Sequence, residues 1–189
     1  MTDYPGGSMD GREQDLTAAF EKTVLEYEKP VYNYAFSILE KCEDAEDAVQ
    51  ETFLRLWRIF CRGSEISAAY VFRTARSCAY DIARRRSRMR RTEVFSLTGA
   101  EGDEIDIADT SPDSDPREYS ERRLRAARVW AAIESMSPSD REIVVLRDIN
   151  GLTYSEICAV MKLNAGTVKS RLHRARERLA VLLRDEKDQ

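Results

Sequence analysis

Between Thr92 and Pro116 the sequence reads TEVFSLTGAEGDEIDIADTSPDSDP, a run in which Asp, Ser, Gly and Pro displace periodic apolar residues. No helix or strand can bury a face there, so the chain is expected to fold as two helical units joined by a flexible acidic linker. Residues 93 to 121 hold ten acidic residues against Arg117 alone, whereas Arg84, Arg85, Arg86, Arg88, Arg90 and Arg91 form a basic block just before them. Charge so unevenly placed is a clue to how the chain is organised.

On either side of the linker the apolar residues recur every three or four positions, which draws a stripe along a helix. Ahead of it run Phe20, Val24, Tyr27, Val31, Ala35 and Ile38, with Pro30 predicted to break or kink that helix into a pair. Asp44 is the predicted N-cap of a helix carrying Val49, Phe53, Leu56 and Phe60 inward. Another begins after Ser67 and buries Val71, Ala75, Cys78 and Ile82. Behind the linker, Pro116 suits a first helical residue, and the stripe passes Leu124, Ala127, Ala131 and Ile133. Ser137 and Pro138 start a helix containing Ile143, Val144 and Leu146, which Asn150 and Gly151 end, and Thr153 with Glu156 makes a capping box for the next. No period of two is long enough for a strand. The expected fold is all-α: two small helical domains, the C-terminal one a helix-turn-helix. Its boundaries are a disordered N-terminus at 1–14, a first domain at 15–92, the linker at 93–119 and a second domain at 120–185.

Several functions are disfavoured. No apolar run exceeds five residues, Val129 to Ile133 being one of that length, against roughly 20 for a bilayer span, and acidic residues crowd the N-terminus where a signal peptide is apolar. A cytoplasmic protein without direct membrane insertion is expected. Cys42, Cys61, Cys78 and Cys158 are too widely spaced for a CxxC metal site, and His173 is the one histidine, so no metal, cofactor or catalytic residue is assigned. Without a Gly-rich phosphate loop or a His-carboxylate constellation the chain is not expected to be an enzyme.

The formal net charge is −4, yet Lys162, Lys169, Arg171, Arg174, Arg176 and Arg178 gather near the C-terminus. They fall on a short helix (Ile157, Val160, Met161), a turn at KLNAG and a longer helix with Val168, Leu172, Ala175, Leu179 and Leu182 inward. Two helices across a tight turn form the helix-turn-helix unit. At about 100° per residue the opposite face centres on Gly166, Ser170, His173 and Arg174, bordered by Thr167, Lys169 and Arg171. Such residues read base edges and phosphates in a major groove. Arg176 and Arg178, further along and toward the flanks, are expected phosphate anchors. An ordinary amphipathic helix with a solvated basic face is the alternative.

In the first unit, DAEDAVQETFLRLW puts Asp47, Gln50 and Glu51 on one outward face, suited to a basic protein surface. Downstream, AAYVFRTARSCAYDIARRRSRMRR interleaves Tyr70, Phe72 and Tyr80 with Arg73, Arg76, Arg84, Arg85 and Arg86. Rings stack on unpaired bases while guanidinium groups follow the backbone; a buried aromatic core with a basic rim fits the same pattern.

These two stretches and SPSDREIVVLRDINGLTYSEICAVMKLNAGTVKSRLHRARERL together resemble the bacterial RNA polymerase sigma factors of the extracytoplasmic-function (ECF) group. The resemblance implies that Asp47, Gln50 and Glu51 bind the clamp helices of the large polymerase subunit. It implies that Tyr70, Arg73, Arg76, Tyr80, Arg84, Arg85 and Arg86 meet and melt the −10 promoter element. Thr167, Lys169, Ser170, Arg171, His173 and Arg174 would read the −35 element. It further implies promoter DNA, core RNA polymerase and an anti-sigma factor as partners, and a linker directed toward the RNA exit path. The chain departs from the family pattern at Tyr70, where a tryptophan is common, and at Ser77, where asparagine is frequent. A helix-turn-helix regulator that binds duplex DNA without polymerase remains the rival.

Overall fold

The computed structural model describes residues 11–92 and 116–185, all of whose regular elements are helical. The expected N-terminal tail and linker therefore lie largely outside the described residues. Residues 11–14 and 116–119 are the exceptions, since they belong to helices.

The first lobe consists of α1 (Gly11–Leu39), α2 (Cys42–Phe60) and α3 (Ala68–Thr92). Pro30 does not divide α1: it sits inside one continuous helix. A mid-helix proline forfeits a hydrogen bond and crowds the carbonyl four residues back, at about 3 kcal/mol. Burial next to it offsets that cost, because Val31, Tyr34 and Ala35 are wholly buried. Asp44 is not the N-cap of α2 either. Lys41 holds that position without a side-chain cap, and Asp44 lies in the first turn, where a carboxylate suits the helix dipole and pairs with Arg86 at 3.1 Å. Phe20 sits edge-on to Trp57, ring centroids 5.1 Å apart, and fixes the α1–α2 contact.

The second lobe holds α4 (Pro116–Glu134), α5 (Pro138–Val144) running on as a π-turn (Val145–Ile149), α6 (Tyr154–Met161) and α7 (Ala165–Asp185). The inner face of α4 is rotated from the expected one. Of the expected stripe Ile133 is buried, but Leu124, Ala127 and Ala131 are exposed, and Trp130 and Ala132 are buried in their place. Both stripes have helical spacing, and the one containing the indole removes more apolar surface from water. The chain leaves the π-turn through Gly151 at φ +71°, a left-handed conformation that favours glycine. The capping box at α6 is present: Thr153 Oγ1 accepts from the Glu156 N–H, and the Glu156 carboxylate accepts from the Thr153 N–H at 2.7 Å.

The lobes are not separate. α3 lies against α6 and α1 against α5, and one apolar cluster runs from Val31, Tyr34 and Phe72 to Ile143, Leu152, Ile157 and Val160. Among the described residues no helix is long and apolar enough to cross a membrane.

Candidate nucleic-acid and polymerase interface

On α7 the structure places the sequence-predicted residues as their angles require. Val168, Leu172 and Ala175 are buried; Gly166, Lys169, Ser170, His173 and Arg174 are exposed; Thr167 and Arg171 are half-buried at the border. Asn164 caps the helix, its Oδ1 accepting from the Thr167 N–H at 2.8 Å. The sequence reading missed this cap, although asparagine three residues ahead is a usual signal. A Cβ at Gly166 would meet only Asn164 Oδ1, at 3.5 Å, so the fold itself does not demand glycine there. Arg174 donates to its own helix at the Ser170 carbonyl, 3.3 Å away, and is otherwise directed outward.

Arg176 and Arg178 depart from expectation. Arg176 grips Asp148 at the π-turn with two nitrogens, and Arg178 pairs with the buried Asp140 at the start of α5. Both guanidinium groups tie the long helix to the rest of its lobe instead of standing free for phosphates.

On α2, Ala45, Ala48, Thr52 and Leu56 face the core, which leaves Asp47 and Gln50 exposed and Glu51 half-buried. Glu51 accepts from Arg55 Nε at 2.8 Å, a bond that raises the Arg55 pKa. Leu54 shares this face at the i, i+3, i+4, i+7 spacing and is 54% exposed. Its helical register with Asp47 was the signal for it in the sequence.

The α3 set divides into three. Tyr70, Arg73, Arg84 and Arg85 are open or half-open; Arg73 lies over the Tyr70 ring at 4.9 Å, and Arg84 bonds Asp81 at 2.5 Å, holding that carboxyl below its usual range. Arg86 is half-buried and joins α3 to Asp44 and the Leu39 carbonyl, a contact internal to the lobe. Arg76 and Tyr80 are taken by the second lobe. Arg76 Nε donates to Glu142 Oε1 at 2.6 Å, and the Tyr80 hydroxyl donates to Glu142 Oε2 at 3.4 Å. The side chains of Arg90 and Arg91 lie outside the described residues.

Glu142 was not singled out in the sequence, where it stands inside DREIVVL. It is 2% exposed and also accepts from the Tyr34 hydroxyl at 2.6 Å. Burial, then the nearby carboxylate, pushes the Tyr34 and Tyr80 hydroxyls above their ordinary pKa. Burial opposes the charge on Arg76, but Glu142 outweighs it and the guanidinium pKa is raised. Beside it the buried Arg141 donates to the Glu134, Met136 and Ser37 carbonyls and pairs with Glu40. A cavity of about 800 Å³ lies between the lobes, lined by Arg58, Arg62, Arg73 and Tyr80 of one and Val160 and Lys162 of the other.

Two helical lobes, one closing on a helix-turn-helix and the other on a basic aromatic helix, define a class of DNA-reading transcription proteins. Residues 23–89 match the family description Sigma-70 region 2, and residues 126–179 match Sigma-70, region 4. The RNA polymerase sigma factor CnrH of Cupriavidus metallidurans is 30% identical over 145 residues, 74% of this chain and 73% of that protein. The ECF RNA polymerase sigma factor SigE of Mycolicibacterium smegmatis is 32% identical over 168 residues; the match spans 88% of this chain and 62% of that relative. The sigma factor RpoE, solved in complex with the anti-sigma factor NepR from Bartonella quintana, superposes with a TM-score of 0.64 at 25% identity, covering 88% of this chain and 97% of that one. The chain belongs to the ECF group of RNA polymerase sigma factors.

Proposed function

We propose that this chain is a promoter-selecting subunit of RNA polymerase. The α7 face from Gly166 to Arg174 reads the −35 element, with Thr167 and Arg171 at its margin. The α3 face from Tyr70 to Arg85 takes the −10 strand once it is unpaired. Asp47, Gln50 and Glu51 of α2, with Leu54 as an apolar anchor beside them, dock on a basic surface of core polymerase. An anti-sigma factor is the matching inhibitor; RpoE is solved in complex with the anti-sigma factor NepR. The protein acts in the cytoplasm, where polymerase and promoters are, and contributes binding instead of catalysis.

The observation that carries this reading is the α7 face: one contiguous basic and polar surface opposite a buried apolar stripe. A regulator working without polymerase would need only that lobe. The exposed acidic face of α2 favours the sigma role, because DNA phosphates would repel it. The test is to mix the purified chain with core polymerase and a promoter library. Selective start sites are expected, and Asp47→Arg should abolish core binding with helical content unchanged. Duplex binding without any effect on polymerase would establish the rival.

A further inference from the structure

We propose that Glu142 is an internal counter-ligand of the −10 surface: its carboxylate occupies, on Arg76 and Tyr80, the place of the promoter strand and holds the free protein closed. This rests on the assignment of Arg76 and Tyr80 to the −10 strand.

Its geometry is that of a built anion site. Three donors from the first lobe, the Tyr34 hydroxyl, Arg76 and the Tyr80 hydroxyl, converge on one carboxylate supplied by α5 of the other lobe. The carboxylate is 3% exposed and the Arg76 side chain 30%. A charged group so buried is tolerated only when its bonds are made, so opening the lobes gives Glu142 to water and leaves Arg76 free to take another anion. A nucleic-acid phosphate has the charge and acceptor oxygens to be that anion. Arg58, Arg62 and Lys162 line the adjoining cavity, and none of the three has an ion pair among the described residues.

The closed arrangement treats the two DNA surfaces unequally. Lys169, Ser170, His173 and Arg174 are all exposed in it, whereas Arg76 and Tyr80 are engaged. The closed chain can therefore meet a −35 duplex but not hold a −10 strand through these two residues. Apparent affinity for the strand falls by the fraction of open molecules, and any partner that separates the lobes restores it.

Two variants test this on the full chain. Glu142→Ala removes the carboxylate. Tyr34→Phe removes one donor while keeping the buried ring against Phe72, 5.6 Å between centroids, and Tyr34 lies in neither DNA surface. Each is compared with the wild type by solution scattering, by helical content, and by binding to a labelled random single-stranded DNA of about 12 nucleotides. The expected result is unchanged helicity, a larger radius of gyration, and strand binding about tenfold or more tighter for Glu142→Ala, as for a chain about 90% closed. Tyr34→Phe shifts both in the same direction by less. An unchanged radius in both folded variants overturns the lock. A larger radius with unchanged strand affinity overturns the counter-ligand role. Promoter melting by Arg76→Ala holoenzyme, read by permanganate reactivity of unpaired thymines, separates the two readings: wild-type melting refutes the −10 assignment itself, whatever the lobes do.

Discussion

The helices α3 and α7 carry the two basic surfaces of this molecule, and they stand in opposite states. On α7 the outward side chains are solvated, and the arginines that find carboxylates, Arg176 and Arg178, lie beyond the face that would enter a groove, on which His173 meets only the exposed Glu177 of its own helix, at 3.5 Å. On α3 the pairing falls in the middle of the surface, where Glu142 from the other lobe holds Arg76 and Tyr80. The difference shows that a helix's inward stripe settles where its outward residues point but not whether they are free. Freedom depends on a carboxylate distant in sequence and brought near by tertiary contact.

The largest way to break the comparison is Arg141→Ala. Arg141 is 4% exposed and bonds the carbonyls that end α4 and α1, where a cation also satisfies the helix dipoles. Removing it strands those carbonyls, at about 1–3 kcal/mol for each buried group left without a partner, whereas Glu40, 58% exposed, is left to water. Urea unfolding should show that loss, while Lys169→Ala on the open α7 face should stay within about 0.5 kcal/mol. Similar midpoints for the two variants would mean that the lobe interface is no stiffer than an exposed helix.

A second test stays on α7. Arg174→Ala should cost about 1–3 kcal/mol on the preferred −35 site and relax the preference at one or two base pairs. Arg178→Ala should leave base preference alone and lower thermal stability, because its partner Asp140 is buried. Binding to single-base −35 substitutions, alongside melting curves, separates them. A loss of base preference from Arg178→Ala would mean that the helix is rotated in the groove.

What was legible in the sequence follows the same division. The α7 face, the capping box at Thr153 and the Gly151 turn rest on neighbours within a few residues, and each stands as its local pattern required. Pro30, Asp44 and α4 misled because the deciding partner was remote. Burial of Val31 and Tyr34 carries α1 through its proline, Arg86 draws Asp44 into a contact other than a cap, and Trp130 turns α4 away from Leu124. Glu142 was invisible for the same reason: a glutamate inside an apolar run has no local reason to be buried, and its three donors lie on α1 and α3.

A smaller effect sharpens the contrast within α3. Arg73 is exposed and stacks on Tyr70, so Arg73→Ala should weaken strand binding without opening the lobes and lower the salt slope by about one unit. Strand binding by the free chain at several salt concentrations, with scattering alongside, reads both quantities. A change in the radius of gyration would place Arg73 in the lock with Arg76.

The smallest effect concerns the cap of α6, the helix that leans on α3. The Thr153 hydroxyl, and then its backbone N–H, hold the Glu156 carboxyl below its usual pKa. A carboxyl depressed in the folded state stabilises above its unfolded value of about 4.3 and loses that contribution as pH falls through the lower folded value. Glu156→Gln should therefore lower the melting temperature at pH 7 by an amount consistent with about 0.5–1 kcal/mol, and the gap to the wild type should narrow below about pH 4. Because the device is local, the radius of gyration should not move at either pH. No gap at pH 7 would assign the cap's worth to the threonine hydroxyl alone, a gap that stayed constant down to acid pH would show that it does not rest on the carboxylate's charge, and a change in radius would show that α6 transmits its cap to the lobe interface.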